Sequence, residues 1–261
     1  MIHGKTTLQV VFSSHKTMIT SRTNPSIKAV RALQQAKQRN ESGLHLLEGD
    51  KLVWDAVQSG VTLKAVYCIE GTPVPDGIEP VLVSESVLEA ISTVKTPQRM
   101  VAVAKTPDLS CPHRYPSGLI LALDCVQDPG NLGTILRTAD ALGASALLLS
   151  PDTVDPFSPK ALRAAMGSTY HLPLYVGDLP TELTRLSKQG FSLVCGHLHG
   201  SETPPAHKHD TVLVVGNEGN GVSDSVSALC YRYRMPMRGR AESLNVAVFS
   251  ALMMQQYFLS E

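Results

Sequence analysis

The stretch VLVVGNEGNG, residues 212–221, sets the fold class of the larger part of the chain. Its four consecutive apolar residues are typical of a strand that is covered on both faces, as in a parallel sheet. Three glycines within the next six residues let the backbone turn sharply and approach a ligand closely. The loop has neither the P-loop pattern nor a dinucleotide fingerprint, so a nucleotide phosphate is not expected. Its carboxylate, Glu218, instead suits a cationic ligand or a ribose hydroxyl.

Apolar runs of strand length alternate with helical patterns through residues 118–261, which predicts an α/β domain with a parallel sheet and helices on both faces. The predicted strands are residues 119–123, 146–149, 172–175, 191–195, 212–215 and 234–235. The predicted helices are residues 132–142, 159–166, 180–188, 222–230 and 244–258. Ligands of such sheets bind beyond the carboxyl ends of the strands, so the segments after residues 123, 215 and 235 are the candidate site.

Residues 20–105 predict a second, smaller α/β domain. Asn24 and Pro25 begin a helix whose apolar spacing continues to residue 39. The other predicted elements are strands at residues 44–48, 63–69 and 100–104 and helices at residues 51–58 and 86–91. Residues 106–117 contain three prolines without periodicity and are predicted to be a linker, whereas residues 1–19 are predicted to be a flexible extension.

The composition is that of a globular protein without a membrane span or a disulfide framework. Hydrophobic residues make up 43% of the chain, and no apolar run approaches the roughly 18 residues of a bilayer crossing. Five cysteines without a Cys-x-x-Cys pair indicate reduced thiols, so a cytoplasmic location is expected. The net charge is zero, yet residues 1–40 carry seven Lys or Arg and no Asp or Glu. This segment is either a basic face for phosphates or a solvated helix face.

The segment after residue 123 reads DCVQDPGNLGTILRTA, residues 124–139. Pro129 and Gly130 force a turn, and Asn131 is a candidate cap for the helix that begins there. Arg137 lies about 120° around and about 9 Å along that helix from Asn131, so its long side chain reaches back toward the ligand edge. Taken alone, this pattern is far more typical of a well-capped helix with a surface arginine.

The segment after residue 235 reads PMRGRAESLNVAV, residues 236–248. Pro236 breaks the strand, a loop with Gly239 follows, and Ser243 or Asn245 begins the long terminal helix. The N–H groups of that helix and the nearby side-chain amides then point into a cavity. Taken alone, Ser243 is most simply an N-cap.

Together and in this order, the three segments resemble the signature motifs of the SpoU/TrmH family of RNA ribose 2′-O-methyltransferases, members of the SPOUT superfamily. The matching words are DPGNLG (128–133) with RTA (137–139), GNEG (216–219) with Gly221, and MPM (235–237) with SLNV (243–246). The resemblance covers about residues 118–259, and residues 20–105 look like the RNA-binding N-terminal domain of the family. Asn217 departs from the pattern, because many relatives carry a small or apolar residue there.

The resemblance implies methyl transfer from S-adenosylmethionine to a ribose 2′-hydroxyl of structured RNA. It also implies a C-terminal trefoil knot, a homodimer with the cofactor bound in the knot, and no metal. By position, it assigns cofactor contacts to Gly216, Asn217, Gly219, Met235 and Leu244. It assigns catalytic roles to Asn131, Arg137, Glu218, Ser243 and Asn245.

Arg137 is the residue that the resemblance places at the RNA phosphate and at the 2′-oxygen. Its guanidinium is a poor general base, so stabilisation of the developing oxyanion is the easier role. Asn131, Glu218 and Asn245 are expected to hold the ribose and Arg137. The N-terminal domain favours ribosomal RNA, above all of the large subunit, and transfer RNA is the alternative.

Two other functions compete with this reading. A non-catalytic RNA-binding protein of the same fold predicts loss of the polar motif residues, and all five are present here. A metal-dependent hydrolase is suggested by the pairs His197-x-His199 and His207-x-His209. These pairs flank a Pro-Pro loop and have only Glu202 and Asp210 as nearby carboxylates, so a solvated loop is favoured over a metal site.

Overall fold

The computed structural model describes residues 18–259, which form two compact units. The first unit contains residues 18–107 together with Phe157–Leu162, and the second contains Asp108–Pro156 with residues 163–259. Residues 1–17 of the predicted extension, like the last two residues of the chain, lie outside the described residues.

The first unit is a four-stranded mixed sheet with four helices among the described residues, so the predicted small α/β domain is confirmed. Its strands are β1 (Leu44–Glu48), β2 (Leu63–Cys68), β3 (Val81–Leu82) and β4 (Met100–Lys105). Its helices are α1 (Pro25–Ala32), α2 (Ala36–Ser42), α3 (Asp50–Gln58) and α4 (Glu85–Ile91). The strand order is β1-β4-β2-β3, with β4 antiparallel to both of its neighbours and β3 parallel to β2.

The single helix predicted from Asn24 to residue 39 is two helices, and that prediction was wrong. Asn24 does cap α1, because its side chain accepts a hydrogen bond from the Ser26 N–H at 2.9 Å. The guanidinium of Arg39 then folds back and donates to the carbonyls of Leu33 and Gln34, each at 3.0 Å. These carbonyls lie at the end of α1 and lack helical partners, so a buried side chain ends the helix.

The predicted flexible extension also ends earlier than residue 19. Ile19 is buried in the core of the first unit, and its N–H donates to the Leu82 carbonyl at 2.9 Å. It forms a parallel bridge with Val83. The apolar contact with this core outweighs the polar composition around it.

The second unit is built on a six-stranded sheet in which every pairing is parallel, as the apolar strands predicted. Its strands are β5 (Leu119–Leu123), β6 (Ala146–Leu149), β7 (Leu174–Val176), β8 (Ser192–Ser201), β9 (Thr211–Val215) and β10 (Tyr231–Tyr233). Its helices are α5 (Pro129–Leu142), α6 (Pro159–Ala165, shared with the first unit), α7 (Leu179–Lys188), α8 (Asp224–Ser227) and α9 (Val246–Leu259). The order is β10-β8-β9-β5-β6-β7. The trefoil knot that the resemblance implies stays a prediction.

Alternate residues of the strands bury opposite faces of this sheet. Ile120 belongs to a cluster with Leu183 of α7, whereas Leu121 lines the opposite side with Phe249 and Met253 of α9. A strand residue and its successor point to opposite faces, so helices cover both. This confirms the predicted layers.

Gly196 of β8 is the position that lets α9 lie close to the sheet. A Cβ atom at this position would be 2.5 Å from the Phe249 ring, which is closer than van der Waals contact allows. The terminal helix can therefore pack here only because residue 196 has no side chain.

Several predicted boundaries of the second unit were wrong, among them the end of β8, which lies at Ser201 and not at residue 195. The last strand is Tyr231–Tyr233 and not residues 234–235, because Tyr231 already pairs with Val194, and Pro236 has no N–H with which to extend the ladder. The helix predicted at residues 222–230 is the four-residue α8. The terminal helix begins at Val246, two residues later than predicted.

The residues predicted to be a linker are bonded to the second unit. The Tyr115 hydroxyl donates to the buried Glu182 at 2.7 Å, and Arg185 donates to the Pro112 carbonyl at 2.7 Å. The Leu109 carbonyl accepts from the Val176 N–H at 2.8 Å. This segment is therefore held along its length and is not a free spacer.

Candidate functional site

Three polar loops follow β5, β9 and β10 at one edge of the parallel sheet. Strands β5 and β9 are neighbours, with Leu123 opposite Val215, so the loops after them start side by side. The carboxyl ends of parallel strands lie at the same edge, where ligands of this class of sheet bind. We call residues 124–131 the first loop, residues 216–221 the glycine loop and residues 234–245 the third loop.

Helix α5 begins at the end of the first loop and is capped by Asp128, not by Asn131 as predicted. The Asp128 side chain accepts a hydrogen bond from the Asn131 N–H at 2.9 Å, and Pro129 occupies the first turn. An aspartate followed by proline is a favoured start of a helix, because the carboxylate takes up an N–H that the helix leaves unpaired. The side chain of Asn131 is thereby released for other contacts.

Glu218 in the glycine loop is bonded to the first loop through both of its carboxylate oxygens. One oxygen accepts from the Asn131 side-chain amide at 2.9 Å and from the Asp128 N–H at 3.1 Å. The other accepts from the Gln127 N–H at 3.1 Å. The carboxylate therefore joins the two loops and is not a free base.

Partial burial raises the pKa of Glu218, but hydrogen bonds from Asn131 and from the backbone N–H groups of Gln127 and Asp128 bring it below its ordinary value. All of these donors favour the ionised form. The carboxylate stays charged near neutral pH.

Asn245 connects the third loop to the same group. Its side-chain oxygen accepts from the N–H groups of Ala247 and Val248, which caps α9, while its amide nitrogen donates to the Asn131 side-chain oxygen at 3.0 Å. Because the helix N–H groups only donate and the Glu218 carboxylate only accepts, the orientation of both amides is fixed. The hydrogen bonds run in one direction from Asn245 through Asn131 to Glu218.

The glycine loop closes on itself through two backbone hydrogen bonds between Asn217 and Gly221, each 2.9 Å long. A Cβ atom on Gly216 would lie 2.1 Å from the backbone of Gly221. Gly216 is therefore required for the tight closure of the loop itself.

The structure does not bring Arg137 and Ser243 into this group. The Arg137 side chain is exposed on α5 and makes no hydrogen bond or ion pair with any described residue, and the exposed Ser243 side chain makes no hydrogen bond with one either. Three of the five predicted catalytic side chains, those of Asn131, Glu218 and Asn245, thus meet. Arg137 is an exposed cation without a partner among residues 18–259.

Two residues that shape the first loop were not predicted from the sequence. Asp124 is buried, and its carboxylate accepts from the Ser223 N–H at 2.8 Å, which joins the end of β5 to the start of α8. Cys125 has a left-handed backbone with φ 57°, which is uncommon for a residue other than glycine. A carboxylate directly after an apolar strand was a signal for Asp124; nothing in the sequence indicated the conformation of Cys125.

The histidine pairs show no sign of a metal centre. Within residues 18–259, no group of three or more His, Cys, Asp or Glu side chains is placed to hold a metal ion. The His197 ring accepts the N–H of His199 at 3.1 Å, and the His207 ring packs against Tyr257. The prediction that the protein uses no metal is not tested by this observation.

None of the helices in the described part of the chain is long and apolar enough to cross a membrane.

The fold and the three loops agree with the methyltransferase family that the sequence motifs resemble, and comparison with known families supports the same assignment. Residues 118–255 match the SpoU rRNA methylase family, and residues 24–102 match an MRM3-like substrate binding domain. The chain belongs to the SpoU rRNA methylase family. The family predicted from the three motifs is thus confirmed.

Three known proteins are similar along almost the whole chain. The 23S rRNA (guanosine(2553)-2′-O)-methyltransferase RlmP of Bacillus subtilis is 35% identical over 246 residues, which cover 90% of this chain and 96% of the relative. The AdoMet-bound rRNA methyltransferase of Sinorhizobium meliloti has a TM-score of 0.83 at 35% identity, covering 92% of this chain and 97% of that one. The AdoMet complex of the SpoU methyltransferase AviRb of Streptomyces viridochromogenes has a TM-score of 0.81 at 25% identity, covering 90% and 97%.

Proposed function

We propose that this protein transfers a methyl group from S-adenosylmethionine to a ribose 2′-hydroxyl of large-subunit ribosomal RNA. The observation that carries the proposal is the hydrogen-bonded chain from Asn245 through Asn131 to Glu218. It joins the three family motifs at the edge of the sheet where ligands are expected, and α5, which contributes Asn131, also carries Arg137, a cation without a partner in the described part of the chain. The relatives named as 23S rRNA 2′-O-methyltransferases support the ribosomal target.

The backbone groups and the half-buried side chains of the third loop suit the cofactor. From Met235 to Leu244, no backbone N–H or carbonyl has a hydrogen-bond partner among the described residues, and the side chains of Met235, Met237 and Leu244 are half-buried. Unpaired backbone groups beside apolar side chains suit a flat, polar-edged adenine. Gly216, Met235 and Leu244 would therefore hold S-adenosylmethionine, which supplies an electrophilic methyl group when bound. The side chain of Glu218 is already occupied, so it is not assigned to the sulfonium.

Arg137 is assigned the role of stabilising the negative charge that develops on the ribose oxygen. A 2′-hydroxyl is a poor nucleophile near neutral pH, so alignment with the methyl carbon supplies much of the rate. A guanidinium without a partner among the described residues is available to bind an RNA phosphate and to stabilise the negative charge on the ribose oxygen as its proton passes to solvent. Asn131 and Asn245 each keep one amide N–H beyond the bond described above, and these are the candidate donors to the ribose.

The first unit offers a small basic surface for the same RNA. Among the basic residues of its N-terminal segment, Arg22 and Lys37 each pair with a glutamate, and Arg39 is buried. Lys28 and Arg31 are exposed on α1 and have no ion-pair partner in the described residues. Residues three apart share a helix face, so these two cations suit neighbouring phosphates.

The active form proposed here is a homodimer that buries the outer face of α9. Val248 and Leu252 are 49% and 44% exposed, and Leu259 lies on the same stripe at 77%. An exposed apolar stripe on a helix is typical of a protein interface. Changing both Val248 and Leu252 to Glu should convert a dimer to a monomer in sedimentation, whereas Leu229→Glu on another exposed leucine should not. A wild-type monomer at micromolar concentration would contradict this assembly.

The activity is tested with purified protein, labelled S-adenosylmethionine and RNA from cells that lack the gene. Methyl incorporation into 23S-type rRNA at one ribose, located by mapping 2′-O-methyl sites, is the expected result. Incorporation only into transfer RNA would favour the alternative substrate. Cofactor and RNA binding without any incorporation would favour the non-catalytic reading. A chelator should leave the rate of methyl transfer unchanged, since the proposed reaction needs no metal. The cytoplasm is the expected compartment.

A further inference from the structure

Asn217 uses both ends of its side-chain amide to join two loops of the site. Its oxygen accepts from the N–H groups of Gly219 at 2.9 Å and Asn220 at 3.0 Å, which folds the glycine loop. Its nitrogen donates to the Cys125 carbonyl in the first loop at 2.9 Å. Since backbone N–H groups only donate and a carbonyl only accepts, the orientation of the amide is fixed.

The Cys125 carbonyl belongs to the residue at which the first loop changes direction. Cys125 has φ 57°. This conformation costs free energy in a residue with a side chain, and it persists only where the surrounding contacts stabilise it. Its N–H donates to the Ser150 hydroxyl at 2.9 Å, and its carbonyl accepts from Asn217. The turn that leads from β5 to Asp128 and α5 is thus held on both sides.

We propose that Asn217 is a positioning residue whose bond to the Cys125 carbonyl sets the first loop, and through it Asn131 and the helix that carries Arg137. This inference rests on the methyl transfer proposed above. The side chain of Asn217 is then not the part of this residue that contacts the cofactor, because the amide oxygen and one amide N–H are already engaged within the protein. Asn217 and Glu218 then hold the same loop at adjacent points, Asn217 at residue 125 and Glu218 at residues 127 and 128.

Two substitutions separate the bond between the loops from the fold of the glycine loop. Asn217→Asp keeps an oxygen for the Gly219 and Asn220 N–H groups but loses the donor to Cys125. Asn217→Ala loses both. Asn220→Asp is the matched control, because it adds the same charge to the same loop, and the Asn220 side chain is exposed without a hydrogen bond to the described residues.

For Asn217→Asp, kcat should fall about tenfold to a hundredfold, because the first loop and α5 lose their alignment with the reacting atoms. The KM for RNA and the calorimetric Kd for S-adenosylmethionine should stay within about threefold, since the glycine loop is still closed. Asn217→Ala should weaken cofactor binding as well. Asn220→Asp should match the wild type in all three measurements.

Amide hydrogen exchange of residues 124–131 provides a readout that does not depend on activity. Exchange should be faster in Asn217→Asp than in the wild type and unchanged in Asn220→Asp. Unchanged kcat and exchange in Asn217→Asp would overturn the positioning role, as would an equal loss in both Asp variants. If the wild type methylates no RNA, the proposed function fails while the exchange result still decides whether Asn217 holds the first loop.

Discussion

Each unit has a glutamate at or just beyond the end of a strand, and the two glutamates perform the same local task with different outcomes. Glu48 ends β1 and accepts from the Thr93 N–H at 3.0 Å, from the Thr93 hydroxyl at 2.6 Å and from the Ser92 hydroxyl. Glu218 follows β9 and accepts from two backbone N–H groups and the Asn131 amide. Both carboxylates hold a neighbouring loop in place by accepting hydrogen bonds from its donors.

The two hydrogen-bond networks differ in the polar groups that they leave available for a substrate. The Ser92 and Thr93 groups that donate to Glu48 belong to one loop. In the second unit, Asn131 also accepts a hydrogen bond from Asn245, and α5, to which Asn131 belongs, presents Arg137 without a partner among the described residues. Hydrogen bonds that are satisfied inside the protein provide the scaffold, and the groups that remain unsatisfied are available for substrate. The comparison thus distinguishes Glu48, whose contacts hold a loop, from Glu218, whose contacts hold a loop of the proposed site.

The largest effect is expected at the group that is left over. Arg137→Ala should lower kcat for methyl transfer by about a hundredfold to a thousandfold, because the developing oxyanion loses its positive partner. Arg137→Lys should recover only part of the rate, since an ammonium cannot make the paired contacts of a guanidinium. Labelled methyl transfer gives the rate, and calorimetry should find the Kd for S-adenosylmethionine nearly unchanged.

Lys188→Ala is the control for Arg137, because Lys188 is an exposed cation of the same unit at the end of α7. It should behave as the wild type. An Arg137→Ala enzyme with normal kcat would remove Arg137 from the mechanism.

The two glutamates should respond differently to the same change. Glu218→Gln replaces one acceptor with an NH₂ group that faces N–H donors, so the first loop should shift and kcat should fall about tenfold to a hundredfold. Glu48→Gln should leave kcat unchanged and lower the free energy of unfolding by about 2 kcal/mol, the usual worth of hydrogen bonds to a charged group. Steady-state kinetics and chemical denaturation of both variants provide the measurement. If Glu48→Gln lost activity as Glu218→Gln does, the contrast between scaffold and site would fail.

The smallest effect concerns the pH dependence of the first unit. His45 is fully buried, bonds to the Thr106 hydroxyl at 3.1 Å and packs on the Phe157 ring. Burial first, and the Arg39 charge second, lower the pKa of His45 to about 3. The folded pKa lies below the unfolded value, so the contribution to stability is complete above about pH 6.5 and is lost as the pH falls toward 3.

Between pH 7 and pH 5 this loss should be on the order of 1 to 2 kcal/mol of unfolding free energy. Denaturation at both pH values measures it, and His45→Gln should remove most of the difference between them because Gln does not titrate. An equal pH dependence in the wild type and His45→Gln would assign the acid sensitivity to other groups.

Much of the fold and part of the site followed from local pattern. The apolar runs predicted the parallel strands, and the motif words predicted Asn131, Glu218 and Asn245, which the structure brings together. The end of α1 was missed because Arg39 satisfies its carbonyls from outside the helix, and the role of Asp128 as the cap of α5 was missed because Asn131 is an equally good capping residue. The last strand was misplaced because its register depends on β8, which is distant in sequence.

The class of sheet, the order of the three loops and the family can be predicted from the amino-acid sequence, because they depend on local periodicity and on short motifs with fixed spacing. The role of each polar side chain depends instead on its contacts in the folded chain. Arg137 has no hydrogen-bond or ion-pair partner among the described residues. Asn217 and Glu218 are adjacent in sequence, and both bond to residues of the first loop that lie about 90 positions away along the chain. Such contacts form when separate strands pair, so the spacing within any one motif cannot reveal them.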